Sequence, residues 1–161
     1  MNRKIYWLAI EPTQIAYRNL LAAAGSRAAK LTLVVRKEIE FAPSCSEFLE
    51  TLKDHLVEVR EQSQWPGTQL LGGSAKVYWY AISPQIIHLI EPATRSLYGW
   101  RSPNLPEDIA FYRDDGSVLL GSCSHEKFGF LELDDEELRI IQIEIAGVEL
   151  EWREHQSPKE R

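Results

Sequence analysis

The alternation of apolar and polar positions is clearest between residues 109 and 133. Ile109 to Arg113 (IAFYR) joins aromatic and β-branched residues, which favour a pleated, half-buried surface. Asp114-Asp115-Gly116 follows. Asp-Gly is a strong signal for a two-residue type I′ turn, whose central positions both need positive φ. Ser117 to Ser122 reads as the return strand and Phe128 to Leu133 as a third, joined by a turn at Ser124-His125-Glu126-Lys127. The third strand carries apolar groups on both faces and belongs inside a sheet. The pattern predicts a three-stranded antiparallel meander.

Ahead of it, Arg3 to Ile10 reads as a strand closed by Pro12. Thr13 is placed to N-cap a helix over 14–24, and Gly25 sits where a C′ glycine belongs. Residues 30–36 form a second strand, with Leu31, Leu33 and Val35 on one face. Ser44 and Glu47 match a capping box opening a long helix over 45–62. Its apolar stripe is Phe48, Leu49, Leu52, Leu56 and Val59, and Trp65-Pro66-Gly67 ends it. Residues 76–82 (KVYWYAI) are a strand. Ser83-Pro84 then reads as N-cap plus N1 proline of a short helix through Ile90.

After the meander, Asp134 with Glu137 gives a second capping box, opening a helix over 135–145 with Leu138, Ile141 and Ile145 inward. The β-branched Ile141, Ile143 and Ile145 keep a strand reading open. Val148, Leu150 and Trp152 alternate as a last strand, and 155–161 reads as a polar, frayed tail. The expected fold is a single α+β domain over 1–154, a mainly antiparallel sheet with two to four helices.

Composition changes this picture little. The chain has 161 residues, 44% apolar and 26% charged, which suits one globular domain. It has no run of 18 apolar residues, and Ile5 to Ile10 is too short for a secretory leader, so a cytoplasmic protein is expected. Cys45 and Cys123 read as buried thiols. Charge is more informative. Residues 1–96 hold 11 Lys and Arg against 9 Asp and Glu, a balance of +2. Residues 97–161 hold 7 against 15, a balance of −8, and the net charge is −6. An acidic half opposes binding to phosphate backbones and suits a basic protein partner, or else is simply a solvated face.

Candidate chemistry is sparse. The histidines (His55, His88, His125, His155) and the two cysteines show no metal-ligand spacing. His88, within IIHLI, reads as a core histidine. Gly72-Gly73 lacks the flanking pattern of a phosphate loop. Ser122-Cys123-Ser124-His125-Glu126 gathers nucleophile, base and acid, and a small enzyme using Cys123, Ser124, His125 and Glu126 is one reading. A capped turn is the other. The acidic pairs Glu107-Asp108 and Asp114-Asp115 read as local loop and turn residues. Trp100-Arg101 and Tyr112-Arg113 could stack on nucleic acid, but they lie in the acidic half. In the irregular loop Tyr98 to Pro106, Trp100 is either a partner anchor or a plug for the chain's own core.

The pattern Gly99-Trp100-Arg101-Ser102-Pro103, Leu105-Pro106-Glu107-Asp108, Phe111-Tyr112-Arg113, Gly116, Ser122 and Ser124-His125-Glu126 resembles a group of small bacterial proteins. Some of these stand among the immunity proteins of toxin systems. The resemblance implies no activity or cofactor. With the charge asymmetry, the expected function is a non-enzymatic protein-binding module, an immunity or inhibitor protein for a basic toxin or enzyme. No cofactor, nucleic acid or membrane is expected. The expected contacts are Trp100, Arg101, Asp134, Asp135, Glu136 and Glu137. A structural subunit of a larger assembly is the third reading.

Overall fold

A computed structural model describes residues 2–154, so the expected tail at 155–161 lies outside the described residues. Strand β1 is Lys4–Leu8, followed by helix α1 (Gln14–Arg27) and strand β2 (Lys30–Arg36). Helix α2 (Pro43–Thr51) and a 3-10 turn (Lys53–His55) lead into strand β3 (Leu56–Gln62). A small hairpin, β4 (Gln64–Trp65) and β5 (Thr68–Gln69), precedes strand β6 (Ala75–Ala81) and helix α3 (Pro84–Ile90). The meander is β7 (Glu107–Tyr112), β8 (Val118–Cys123) and β9 (Phe128–Leu133). Helix α4 (Asp135–Glu144) and strand β10 (Leu150–Trp152) complete the fold.

Eight strands form one sheet in the order β10-β1-β9-β8-β7-β2-β6-β3, with every pairing antiparallel. The expected α+β architecture is therefore present. The helices pack on one face through a single cluster: Tyr17, Leu20 and Leu21 of α1, Ile86 and Ile90 of α3 and Ile141 of α4 meet Leu31, Leu33, Phe111 and Leu131 of the sheet. Trp100 belongs to this cluster. It is fully buried, its indole N–H donates to Tyr17 Oη at 2.8 Å, and its ring lies 5.5 Å from Phe48. The plug reading is the one the structure takes.

The opposite face is only partly covered. Trp7, Cys123, Phe128 and Phe130 cluster there, as do Val34, Trp65, Ala75 and Val77. Its cover is the β4–β5 hairpin. Gly121 permits the close approach: a Cβ there would sit 2.9 Å from Pro66 Cβ and inside the Phe130 ring's contact distance.

Several expectations are corrected. The helix expected over 45–62 ends at Thr51, and Leu56–Gln62 is an edge strand. Val57 and Val59 are β-branched, and the alternation of Val57 and Val59 with Glu58 and Arg60 competes with the helical stripe. Ser44 does not cap α2; Ala42 holds that position, Pro43 opens the helix, and the Ser44 hydroxyl donates to Asn104 O at 3.1 Å. Trp65-Pro66-Gly67 turns a hairpin instead of ending a helix. Gly25 lies inside α1, where a Cβ would stand 2.8 Å from Ile87 Cδ1; it serves helix packing rather than a C-cap. At the Asp115-Gly116 turn only Gly116 has positive φ (85°), with Gly116 N–H donating to Arg113 O at 3.0 Å, so the turn is not type I′. His88 is exposed on α3 rather than in the core. The helix reading of 138–145 holds, with Asp134 and Glu137 forming the expected capping box.

Gly121→Ala is expected to lower stability by about 1–3 kcal/mol, because the new methyl meets the Phe130 ring and Pro66. The shift of the denaturant midpoint measures it.

Candidate functional site

The acidic pair at the start of β7 organises the open face. In a regular strand Glu107 and Asp108 would point to opposite faces. Asp108 instead has φ of 55°, and the β2–β7 register shifts between Thr32 and Val34. Aspartate tolerates this left-handed geometry better than most residues, and a bulge of this kind re-aims a side chain. Both carboxylates thereby reach Arg36: its Nε donates to Glu107 Oε2 at 3.1 Å, and a terminal nitrogen lies 4.0 Å from Asp108 Oδ2. Both acids are fully buried.

Buried carboxylates persist only when charge and lone pairs are met. Glu107 Oε1 accepts from Ser102 N–H at 3.3 Å and stands 2.5 Å from His125 Nε2. Asp108 Oδ1 accepts from Ser124 N–H at 2.9 Å, and Oδ2 accepts from the Trp65 indole N–H at 2.8 Å. The Arg36 guanidinium also lies 5.4 Å from the centre of the Trp65 ring. Burial pushes the Asp108 carboxyl up to about 6; the Ser124 and Trp65 donors pull it down, Glu107 pushes it up and Arg36 pulls it down. The pair therefore joins β2, β7, the β8–β9 turn and the β4–β5 hairpin through one network.

Cys123 and His125, close in sequence, engage different partners. Cys123 and His125 both line a 270 Å³ depression with Arg36, Thr68 and Glu126, yet the imidazole is turned to Glu107. The Thr68 hydroxyl donates to Cys123 Sγ at 3.7 Å. Burial, then the charge of Asp108, pushes the thiol up, against weaker pulls from the Glu126 backbone N–H and Thr68. A nucleophilic thiolate needs the reverse environment. Ser124 Oγ is buried without a hydrogen bond. Among the described residues, no group of three or more His, Cys, Asp or Glu side chains could hold a metal ion. Nor is any described helix long and apolar enough to cross a membrane.

The expected contact residues are scattered. Trp100 is buried in the core and does not reach the surface. Asp134 caps α4. Glu137 pairs with Arg113 at 2.9 Å and with Arg3 at 3.6 Å, while Arg113 also donates to Val118 O and Glu132 O at 2.7 Å. Arg113 is thus a clamp across β8, β9 and α4. Arg101, Asp135 and Glu136 are exposed, with Asp135 3.9 Å from Lys4.

What sequence reading missed is a groove of 340 Å³ on the open face. Its walls are Trp65 and Pro66 of the hairpin and Trp79, Tyr112, Val118 and Phe130 of the sheet. The Trp79 and Tyr112 rings are 4.7 Å apart, and the Trp79 indole N–H donates to Gln62 Oε1 at 2.8 Å. Gln64 and Glu132 add polar groups to the lining. Depressions of 380 and 500 Å³ lie against α1 and α3, but neither gathers more than one aromatic ring. The sequence did hold a partial signal: Trp79 and Tyr112 are on strands whose other faces supply the core. No family model, curated protein or solved structure matches the chain.

Two outcomes are expected. Asp108 is raised from 3.8 to about 6 in the fold, so its contribution is fully present below pH 4 and lost as pH rises through 6. The loss approaches about 3 kcal/mol. The pH dependence of the denaturant midpoint, wild type minus Asp108→Asn, isolates it from the other carboxylates. Cys123 is expected to react with a disulfide reagent at least about tenfold more slowly than a free thiol, and Cys123→Ser to leave the thermal midpoint within a few degrees.

Proposed function

We propose that this chain is a non-enzymatic protein-binding module, and that a partner enters the groove between the β4–β5 hairpin and the sheet with an apolar or aromatic side chain. The observation that carries the reading is the groove itself. Four aromatic rings wall one 340 Å³ opening on a sheet face that, among the described residues, no helix covers. Aromatic-lined pockets with a few placed polar groups are where binding energy concentrates. Two of the groups that would argue for catalysis are engaged elsewhere: Asp108 with Trp65 and Ser124, and Cys123 in a buried position beside an acid.

A basic partner, as in an immunity or inhibitor protein acting on a basic enzyme, is the specific form proposed. The net charge of −6 favours its encounter, and Asp135 and Glu136 remain exposed to guide it. The test is co-purification of the tagged full chain from its native host at low and high salt. A stoichiometric partner is expected from wild type, with at least about tenfold weaker capture by Trp79→Ala. Paired Asp135→Lys and Glu136→Lys changes are expected to slow association and flatten its salt dependence. Recovery of the wild-type chain alone at both salt levels overturns the reading.

A further inference from the structure

The two ends of the eight-stranded sheet are unlike. At one, β10 has three residues. At the other, β3 has seven, and among the described residues no strand pairs with its outer side. A long free edge is a template for another strand. This one also carries apolar side chains outward: Leu56 is 38% exposed, Val57 51% and Val59 44%.

The order of residues on β3 selects the occupant. When two copies of one strand pair antiparallel about a two-fold axis, one residue lies opposite itself, and its neighbours lie opposite each other in exchanged order. With Val59 on the axis, Glu58 of each copy faces Arg60 of the other, twice. With Glu58 on the axis, two glutamates oppose; with Arg60 there, two arginines oppose. Opposite charges across a strand pair stabilise it and like charges oppose it. Of these three registers, the Val59 one alone is free of like-charge pairs. The strand supports it locally. Beyond the bulge between Leu56 and Glu58, residues Glu58 to Gln62 pair with β6 in unbroken register. Arg60 already pairs with Glu58 of its own strand, and both side chains remain partly exposed. Two copies would place these four charges in an alternating square on one face and Val59 against Val59 on the other.

We infer that β3 is a homodimer edge, where a second copy of this chain pairs antiparallel about Val59 to make one continuous sixteen-stranded sheet. The inference does not rest on the groove reading, although β3 borders the groove through Gln62, which lines it, and Arg60, which lies over Trp79.

Sedimentation equilibrium of the full chain, from about 1 to 300 µM, tests it. Wild type is expected to form a dimer. Val59→Lys sets two ammonium groups against each other on the axis and is expected to raise the dissociation constant at least about tenfold. Glu58→Arg alone and Arg60→Glu alone are each expected to be monomeric, since each opposes like charges. Mixed one to one, these two variants are expected to dimerise, because every cross-strand pair is then complementary although the pair within each strand stays broken. Circular dichroism of each variant matching wild type excludes misfolding as the cause. A monomeric wild type across the range overturns the inference. So does a dimer that Val59→Lys leaves intact, or a mixture that stays monomeric.

Discussion

The hydrogen bond from the Trp65 indole to Asp108, with the Arg36 contact to Glu107 beside it, is the constraint on which the open face depends. Two adjacent carboxylates lie with no solvent exposure, an arrangement that desolvation opposes by several kcal/mol per ion. It persists because each carboxylate oxygen has a directed partner and the Arg36 guanidinium reaches both acids. Removing one partner would leave a buried charge unmet, so the network holds or fails as a unit. The hairpin has only two ladder pairs of its own, Gln64 with Gln69 and Trp65 with Thr68. An isolated hairpin of that size is not stable in water. Its position over the sheet comes from Asp108 and from the space left by Gly121.

The same network shows why charge along the chain is a poor map of charge in space. The acidic half folds against the cations of the other half. Arg36 meets Glu107 and Asp108, Arg3 meets Asp115 and Glu137, Lys4 meets Asp135, and Arg27 meets Glu144. The balance of −8 over residues 97–161 is therefore partly spent inside the fold. A basic partner is favoured by the net charge and by the exposed first turn of α4, not by a continuous acidic face.

Elements set by local chemistry were legible in the residues alone. The meander followed from alternation and turn residues. The Asp134–Glu137 capping box and the Ser83 cap, which accepts from Ile86 N–H at 3.3 Å, followed from side-chain geometry within one helical turn. Leu56–Gln62 was misread because five apolar residues between Phe48 and Val59 also satisfy a helical stripe, and an edge strand keeps apolar side chains exposed. Glu107 and Asp108 looked like loop residues because their partners are distant in sequence: Arg36 lies 71 positions from Glu107, and Trp65 lies 43 from Asp108. Neither spacing has a sequence signature. The one available hint was two acids set directly against the apolar run of a strand.

The network also bears on what kind of function the open face can carry. Attack by the Cys123 thiol would require it to meet a base, whereas its present partner is the Thr68 hydroxyl and the His125 imidazole is turned to Glu107. Thr68 belongs to the hairpin whose Trp65 is tied to Asp108, so a motion that freed the thiol would also disturb the groove wall. Recognition makes the opposite demand. A groove whose walls are already fixed loses little conformational freedom on binding, and more of the contact energy appears as affinity. Trp79 is held by Gln62 and lies under Arg60 at 4.6 Å, the Tyr112 ring packs tilted against it, and Trp65 is tied to Asp108. The bond that commits Asp108 to Trp65 thus also fixes one wall of the aromatic groove.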